Sequence, residues 1–180
     1  MSRIDYEVSP TSRQALMQLA ADIRNTLRIH APYFPILEVV EIVLPKVQGM
    51  EDFALTIGDM TEMGADHGLT YTDRKEIRLR EDVYEGVYRG KGRDRFTLAH
   101  ELGHLLLHAN QAYQRNMRLA ENIPPYKSAE WQANTFAGAL LMPHDYLKRT
   151  QDVFTVVEEC GVTVDAAMTH TRLLQKGGLL

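Results

Sequence analysis

The 180-residue chain has only one cysteine, Cys160, and its apolar runs fall well short of the ~20 residues that a bilayer-spanning helix needs. A single cysteine excludes an intramolecular disulfide framework and any metal cage built from several thiolates. The first residues, MSRIDYEVSPTSRQ, lack the apolar core of a secretion signal. These absences predict a cytoplasmic protein that does not enter a membrane.

An excess of positive charge is also missing, because 20 Lys and Arg residues stand against 24 Asp and Glu residues. Binding to phosphates requires clustered cations, so this balance argues against a dedicated nucleic-acid surface. The contents of hydrophobic residues (44%) and charged residues (24%) are typical of a globular protein. Together with the length, they predict one domain over residues 1–180.

The spacing of apolar residues predicts an α+β domain in which helices surround a small, mainly antiparallel sheet of three strands. Residues 9–45 have helical periodicity, interrupted at APYFP. Residues 53–81 alternate as strands do, in the segments FALTIGD, HGLTYTD and KEIRLRE. Helical patterns return at 95–109, at 128–142 and, with a break, at 144–177.

The stretch FTLAHELGHLLLH, residues 96–108, is the most informative part of the chain. On a helix, at about 100° per residue, its leucines share one face. The opposite face carries His100, Glu101, His104 and His108. A solvated helix face normally carries Lys, Glu, Gln and Arg, so this composition indicates a specialised site.

His100, Glu101 and His104 form an H-E-x-x-H arrangement. Histidines four residues apart lie one above the other, so both imidazoles can bind the same metal ion. Glu101 lies beside them, where its carboxylate can reach a water bound to that ion. We therefore predict a metal site with Glu101 as the catalytic base.

A catalytic zinc ion usually has three protein ligands and leaves a fourth position for water. His108 lies about 6 Å beyond His104 along the helix axis, too far to bind the same ion. It is either a residue beside the ligands or an ordinary histidine. Glu130, in the first turn of the helix predicted at 128–142, is the better third ligand, although it could also simply favour the helix dipole. Asn134, one turn later, could orient a ligand imidazole.

Several finer assignments stay open at this point. Histidine and carboxylate ligands suit Zn²⁺ but do not exclude Mn²⁺ or Fe²⁺. A group that stabilises the oxyanion is expected, and the sequence does not choose among its candidates. They are Tyr126, His144, Tyr84, Tyr88 and His108.

Two segments outside the motif invite further hypotheses. A substrate peptide could add to the edge of the small sheet, with KEIRLRE as the natural strand, although a solvated face explains its arginines equally well. Cys160 could reach the open metal position and keep an enzyme latent, although a lone cysteine is usually a small buried hydrophobe.

Three stretches resemble the ImmA/IrrE metallo-endopeptidases: RFTLAHELGHLLLH (95–108), EWQANTFAGALLMP (130–143) and, more weakly, CGVTVDAAMTHTRLLQKGG (160–178). The similarity extends over most of residues 10–178. It implies a minimal zincin-like fold with one zinc ion. In that fold Glu101 is the base, and the zinc ligands are His100, His104 and Glu130.

Members of this family act on helix-turn-helix repressors of mobile elements, prophages or stress operons, by cutting them or inactivating them otherwise. The resemblance thus implies a zinc-dependent endopeptidase with such a repressor as substrate or partner. Many members carry an additional DNA-binding or sensor domain, for which this chain has no room, so such a partner is expected to be a separate protein. The competing interpretation is a regulatory binding module or toxin component that does not cut its partner. Glu101 favours the enzyme, because a structural metal site needs no base.

Overall fold

The structure, a computed structural model, describes residues 5–109, 123–150 and 152–180. The domain predicted over 1–180 also includes residues 1–4, 110–122 and 151, which lie outside the described residues. No helix within the described ranges has both the length and the apolar content needed to cross a bilayer.

Within those ranges the chain forms helices before, between and after three short strands. The helices are α1 (Arg13–Thr26), α2 (Ile36–Glu38), α3 (Met60–Met63), α4 (Glu81–Tyr88), α5 (Gly92–His108), α6 (Ala129–Leu141), α7 (His144–Leu147), α8 (Val153–Cys160) and α9 (Val164–Lys176). The strands are β1 (Ala54–Gly58), β2 (Gly68–Tyr71) and β3 (Glu76–Arg80). Helix α2 continues as a π turn (Val39–Val43) and a 3₁₀ turn (Leu44–Lys46), and a second 3₁₀ turn (Pro125–Lys127) precedes α6.

The α+β class and the three strands are confirmed, but the described sheet is mixed rather than mainly antiparallel. Its order is β1-β3-β2. β2 and β3 are joined by a tight turn and pair antiparallel, with Thr70 opposite Ile77. The longer connection through α3 places β2 at the far edge of the sheet, so that β3 lies between β2 and β1. β3 runs parallel to β1, with Leu55 opposite Ile77. KEIRLRE is therefore the central strand of the described sheet, and it does not offer the edge predicted for a substrate.

Local sequence explains where the two helices of the candidate site begin. Helix α6 begins after Ser128, whose hydroxyl oxygen accepts a hydrogen bond from the Trp131 backbone N–H at 2.9 Å. Helix α5 begins at Gly92, slightly earlier than the predicted position 95. A side chain at Gly92 would collide with the backbone of Val162 at 2.6 Å, so glycine allows this end of α5 to pack against the connection between α8 and α9.

Helix α5 is buried on two sides, which is unusual for a helix with so many polar residues. Leu98, Leu102 and Leu105 lie in the hydrophobic core. The polar face is covered as well, because α5 packs against α6 on one flank and β2 on another. The arrangement encloses the histidine face between a helix and a strand.

Candidate metal centre

Three side chains that can bind a metal ion converge between α5 and α6. The Nε2 atoms of His100 and His104 lie 3.0 Å apart. The Glu130 carboxylate reaches both, with Oε2 3.4 Å from His100 Nε2 and Oε1 3.2 Å from His104 Nε2. Among the residues that the structure describes, these are the ones whose ligand atoms come close enough together to share a single ion.

The spacing of these atoms fits a tetrahedral divalent ion. Bonds of about 2.1 Å from zinc to nitrogen or oxygen place neighbouring ligand atoms roughly 3.3–3.4 Å apart. The observed separations of 3.0, 3.2 and 3.4 Å lie close to this value. Two unprotonated imidazole nitrogens and a carboxylate directed at one point repel each other unless a metal ion or a ring proton lies between them. The donor set therefore fits the metal that the motif predicts.

Glu130 has the charge that such a ligand requires. Burial alone would raise the pKa of its carboxyl group, but in the metal-free site the hydrogen bonds and positive charge that His100 and His104 supply when their rings are protonated hold this pKa below its ordinary value. The carboxylate is thus ionised near neutral pH.

Asn134 lies one turn after Glu130 on α6 and contacts the other face of the first imidazole. Its Oδ1 is 3.0 Å from His100 Nδ1. With this orientation of the amide, the oxygen accepts a hydrogen bond from Nδ1–H and leaves Nε2 unprotonated towards Glu130. Metal-binding histidines usually have such a partner.

His108 lies outside the ligand cluster but contacts it from behind. It is only 3% exposed, and its Nδ1 is 3.1 Å from His104 Nδ1. Its Nε2 is 3.3 Å from Oε1 of Gln132, a fully buried residue that the sequence analysis did not identify. Burial and the neighbouring His104 lower the pKa of His108 to about 4, so the ring is neutral near pH 7.

Glu101, which follows the ligand His100 in the sequence, is buried and makes hydrogen bonds to β2. The Thr70 hydroxyl lies 2.7 Å from Glu101 Oε2, to which it can donate, and 3.0 Å from the Glu101 backbone oxygen. Gly68 shares this face of the strand, and a Cβ atom there would lie 2.9 Å from Glu101 Cγ. Sequence analysis did not identify Thr70. The period-two alternation of GLTY pairs it with Gly68, but does not say which helix the two residues face.

The N-terminal segment contributes two more contacts that sequence analysis missed. Asp5 Oδ2 accepts a hydrogen bond from the Ser128 hydroxyl at 2.6 Å, and its Oδ1 accepts one from the Glu130 backbone N–H at 3.1 Å. Asp5 thereby fixes the first turn of α6. The ring of Tyr6 stacks on His104 with centroids 6.4 Å apart.

The other residues predicted to stabilise the oxyanion differ in exposure and in the partners of their side chains. Tyr126 precedes α6 with a half-exposed side chain. Tyr84 donates its hydroxyl proton to Glu41 at 2.7 Å, and Tyr88 is strongly exposed. The side chain of His144 instead contacts the Leu179 backbone oxygen, with Nε2 at 2.7 Å.

The structure removes His144 and Cys160 from the site. His144 follows the far end of α6, about 20 Å from Glu130 at 1.5 Å per residue, and lines a separate cavity of about 590 Å³. Cys160 is buried at the end of α8 and lies outside the ligand cluster. Burial raises the pKa of its thiol to about 11, so it is an inert core residue rather than a reserve ligand.

An H-E-x-x-H helix packed on a small mixed sheet, with a carboxylate supplied by a later helix, defines a zincin-like metal-site architecture. The family model Peptidase_M78, the IrrE N-terminal-like domain, matches residues 54–167. The chain belongs to this metallopeptidase family, and the predicted resemblance is confirmed. The matched residues run from β1 into α9 and include the whole ligand cluster.

One solved structure similar to this chain is a Mycobacterium tuberculosis transcriptional regulator. The TM-score is 0.59 at 16% sequence identity, with 89% of this chain and 46% of that chain covered. At this identity the likeness shows the fold alone, and this chain spans about half the length of that protein. None of the curated proteins compared matches the chain.

Proposed function

We propose that the protein is a metal-dependent endopeptidase that inactivates a helix-turn-helix transcriptional repressor by cutting it. The observation that carries this proposal is the convergence of two imidazoles and a carboxylate, on a helix in which a second, buried carboxylate, Glu101, directly follows the first ligand His100. A purely structural metal site has no use for such a base. Membership of a metallopeptidase family supports the same reaction.

His100, His104 and Glu130 would hold the ion, for which we propose Zn²⁺, with Mn²⁺ and Fe²⁺ as alternatives. When bound, a divalent ion supplies Lewis acidity, which polarises the scissile carbonyl and makes water a nucleophile near neutral pH. Asn134 keeps the ring of His100 oriented through the 3.0 Å contact at Nδ1.

Glu101 would move the proton. Its carboxylate accepts a proton from the attacking water as the carbon–oxygen bond forms, and then donates it to the amine nitrogen as the carbon–nitrogen bond breaks. Thr70, donating to Oε2 at 2.7 Å, would fix the orientation of this carboxylate.

The substrate would lie beside β2. This strand ends the described sheet and carries Thr70, so an extended peptide added next to it would pass over Glu101. Membership of the IrrE N-terminal-like family supports a regulatory protein as the target.

Cleavage of a repressor encoded beside this gene tests the proposal. The purified protein, loaded with Zn²⁺, is incubated with the repressor, and fragments are identified by mass spectrometry with and without a chelator. We expect defined fragments that disappear when the metal is removed.

Glu101→Gln is the matched control, because the amide can still accept a hydrogen bond from Thr70 but cannot take the water's proton. We expect it to retain metal and fold while cleavage falls by at least ~10²-fold. Fragments at the wild-type rate would remove Glu101 as the base. Release of the repressor from its DNA without any fragments would instead favour the binding-module alternative.

A further inference from the structure

The buried side chains of Gln132, His108 and His104 form a continuous chain of polar contacts behind the ligand cluster. We infer that Gln132 and His108 act as a positioning pair that fixes the tautomer of His104, so that its Nε2 presents a lone pair to the metal ion. This inference rests on the proposed metal site and extends it to two residues that do not bind the ion.

The orientation of the Gln132 amide is fixed by its surroundings. Its nitrogen donates to the backbone oxygens of Ser9 at 2.8 Å and of Tyr126 at 2.9 Å. Backbone carbonyls only accept hydrogen bonds, so the NH₂ group has to face them. The amide oxygen then faces His108.

The position of each proton along the hydrogen-bonded series Gln132–His108–His104 follows from this orientation. Because Gln132 Oε1 only accepts, the proton of His108 has to be on Nε2, 3.3 Å away. A neutral imidazole carries one N–H, so His108 Nδ1 has a lone pair. It accepts a hydrogen bond from His104 Nδ1–H at 3.1 Å. His104 Nε2 is thus left unprotonated.

The pair opposes a competing arrangement that would weaken metal binding. Glu130 Oε1 lies 3.2 Å from His104 Nε2 and would accept a hydrogen bond if the proton were there. That tautomer would turn a ligand nitrogen into a donor. Holding the proton on Nδ1 removes this competition, as Asn134 does directly for His100.

The tautomers can be read without any enzymatic assay. Two-dimensional ¹⁵N–¹H spectra of the imidazole groups, recorded at pH 8 on the metal-free and the Zn²⁺-loaded protein, distinguish Nδ1–H from Nε2–H. We expect His108 to carry its proton on Nε2 in both forms. A proton on His108 Nδ1 would overturn the inference.

Metal affinity gives the second measurement, by competition with a chromophoric chelator. His108→Phe retains a ring but offers no acceptor to His104, and Gln132→Met retains length without the amide. We expect each variant to bind Zn²⁺ about 10–100-fold more weakly. Because Gln132 and His108 act through the same hydrogen bond to His104, the double variant should bind Zn²⁺ with the same affinity as His108→Phe, within about twofold.

Asn134→Leu is the comparison, since it affects His100 through a separate contact. In the double variant of Asn134→Leu and His108→Phe, the two fold-losses of Zn²⁺ affinity should multiply. An effect of Gln132→Met that persists in full in the His108→Phe background would overturn the inference, as would unchanged affinity in the single variants. If the wild-type protein bound Zn²⁺ without cutting a repressor, the proposed function would fail, whereas these outcomes would still decide the role of Gln132 and His108.

Discussion

Replacing His170 should make the folded protein markedly less sensitive to acid. His170 lies on α9 and packs against α6 so closely that a Cβ atom at Gly138 would be 2.5 Å from its Nδ1. Its Nε2 is buried and makes no hydrogen bond to the residues described. Burial, followed by the nearby positive charge of Arg13 and His144, lowers the pKa of His170 to about 4.

The direction of the effect follows from the two pKa values. An unfolded chain takes up a proton on this ring near pH 6.5, whereas the folded protein does so near pH 4. The contribution of the neutral ring to stability is therefore complete above pH 6.5 and is lost as the pH falls towards 4. Each pH unit in this interval costs about 1.4 kcal/mol, so the loss reaches about 2 kcal/mol at pH 5 and about 3 kcal/mol below pH 4.

Urea denaturation at pH 7 and pH 5 measures this loss for the wild-type protein and for His170→Gln, which is polar but does not titrate. Metal-free protein is used, so that release of the ion at low pH does not contribute. We expect the wild-type free energy of unfolding to fall by about 2 kcal/mol more than that of the variant. Other groups titrate alike in both proteins and cancel in the comparison. Equal losses would show that His170 is not held neutral by burial.

Two predictions concern the metal centre itself. Glu130→Ala should leave the fold intact and reduce bound Zn²⁺ sharply, because it removes the carboxylate that lies 3.2 and 3.4 Å from the two imidazoles. Metal content is measured by mass spectrometry. Unchanged metal content would mean that the third ligand is another residue. Thr70→Val should lower kcat by about 10–100-fold without changing KM, since a hydrogen bond to a charged group contributes about 1.5–3 kcal/mol. Thr70→Ser retains the hydroxyl and should keep most of the activity. Equal rates for the Val and Ser variants would indicate that the hydroxyl does not orient Glu101.

The sequence predicts the ligand cluster because most of it is local. His100 and His104 are four residues apart on one helix, so their convergence needs no knowledge of the tertiary structure. Glu130 is distant in sequence, yet the sequence indicates it as well, because it is a polar residue at the start of a stripe of small residues that allow close helix packing. A polar residue on such a stripe is expected to face the neighbouring helix.

The residues that support the cluster could not be predicted in the same way. Alternation along GLTY separates the two faces of β2, but the order β1-β3-β2 decides that Thr70 faces Glu101. Gln132 lies within an apolar helix, and only the approach of Ser9 and Tyr126 fixes the direction of its amide. Each of these contacts depends on elements that are far apart in sequence.

The separation of α5 and α6 determines whether the motif can hold an ion at all. The motif supplies two nitrogens from α5, but the carboxylate comes from α6 and reaches them only if the helices approach closely. Gly103, inside the motif, permits this, because a Cβ atom there would lie 3.2 Å from Ala133 Cα and 3.1 Å from Phe136 Cδ1. A larger residue at Gly103 would require these neighbours on α6 to move by a few tenths of an ångström, which is comparable with the tolerance of a tetrahedral site. The glycine at this crossing thus helps the carboxylate of Glu130 to reach the two imidazoles of α5.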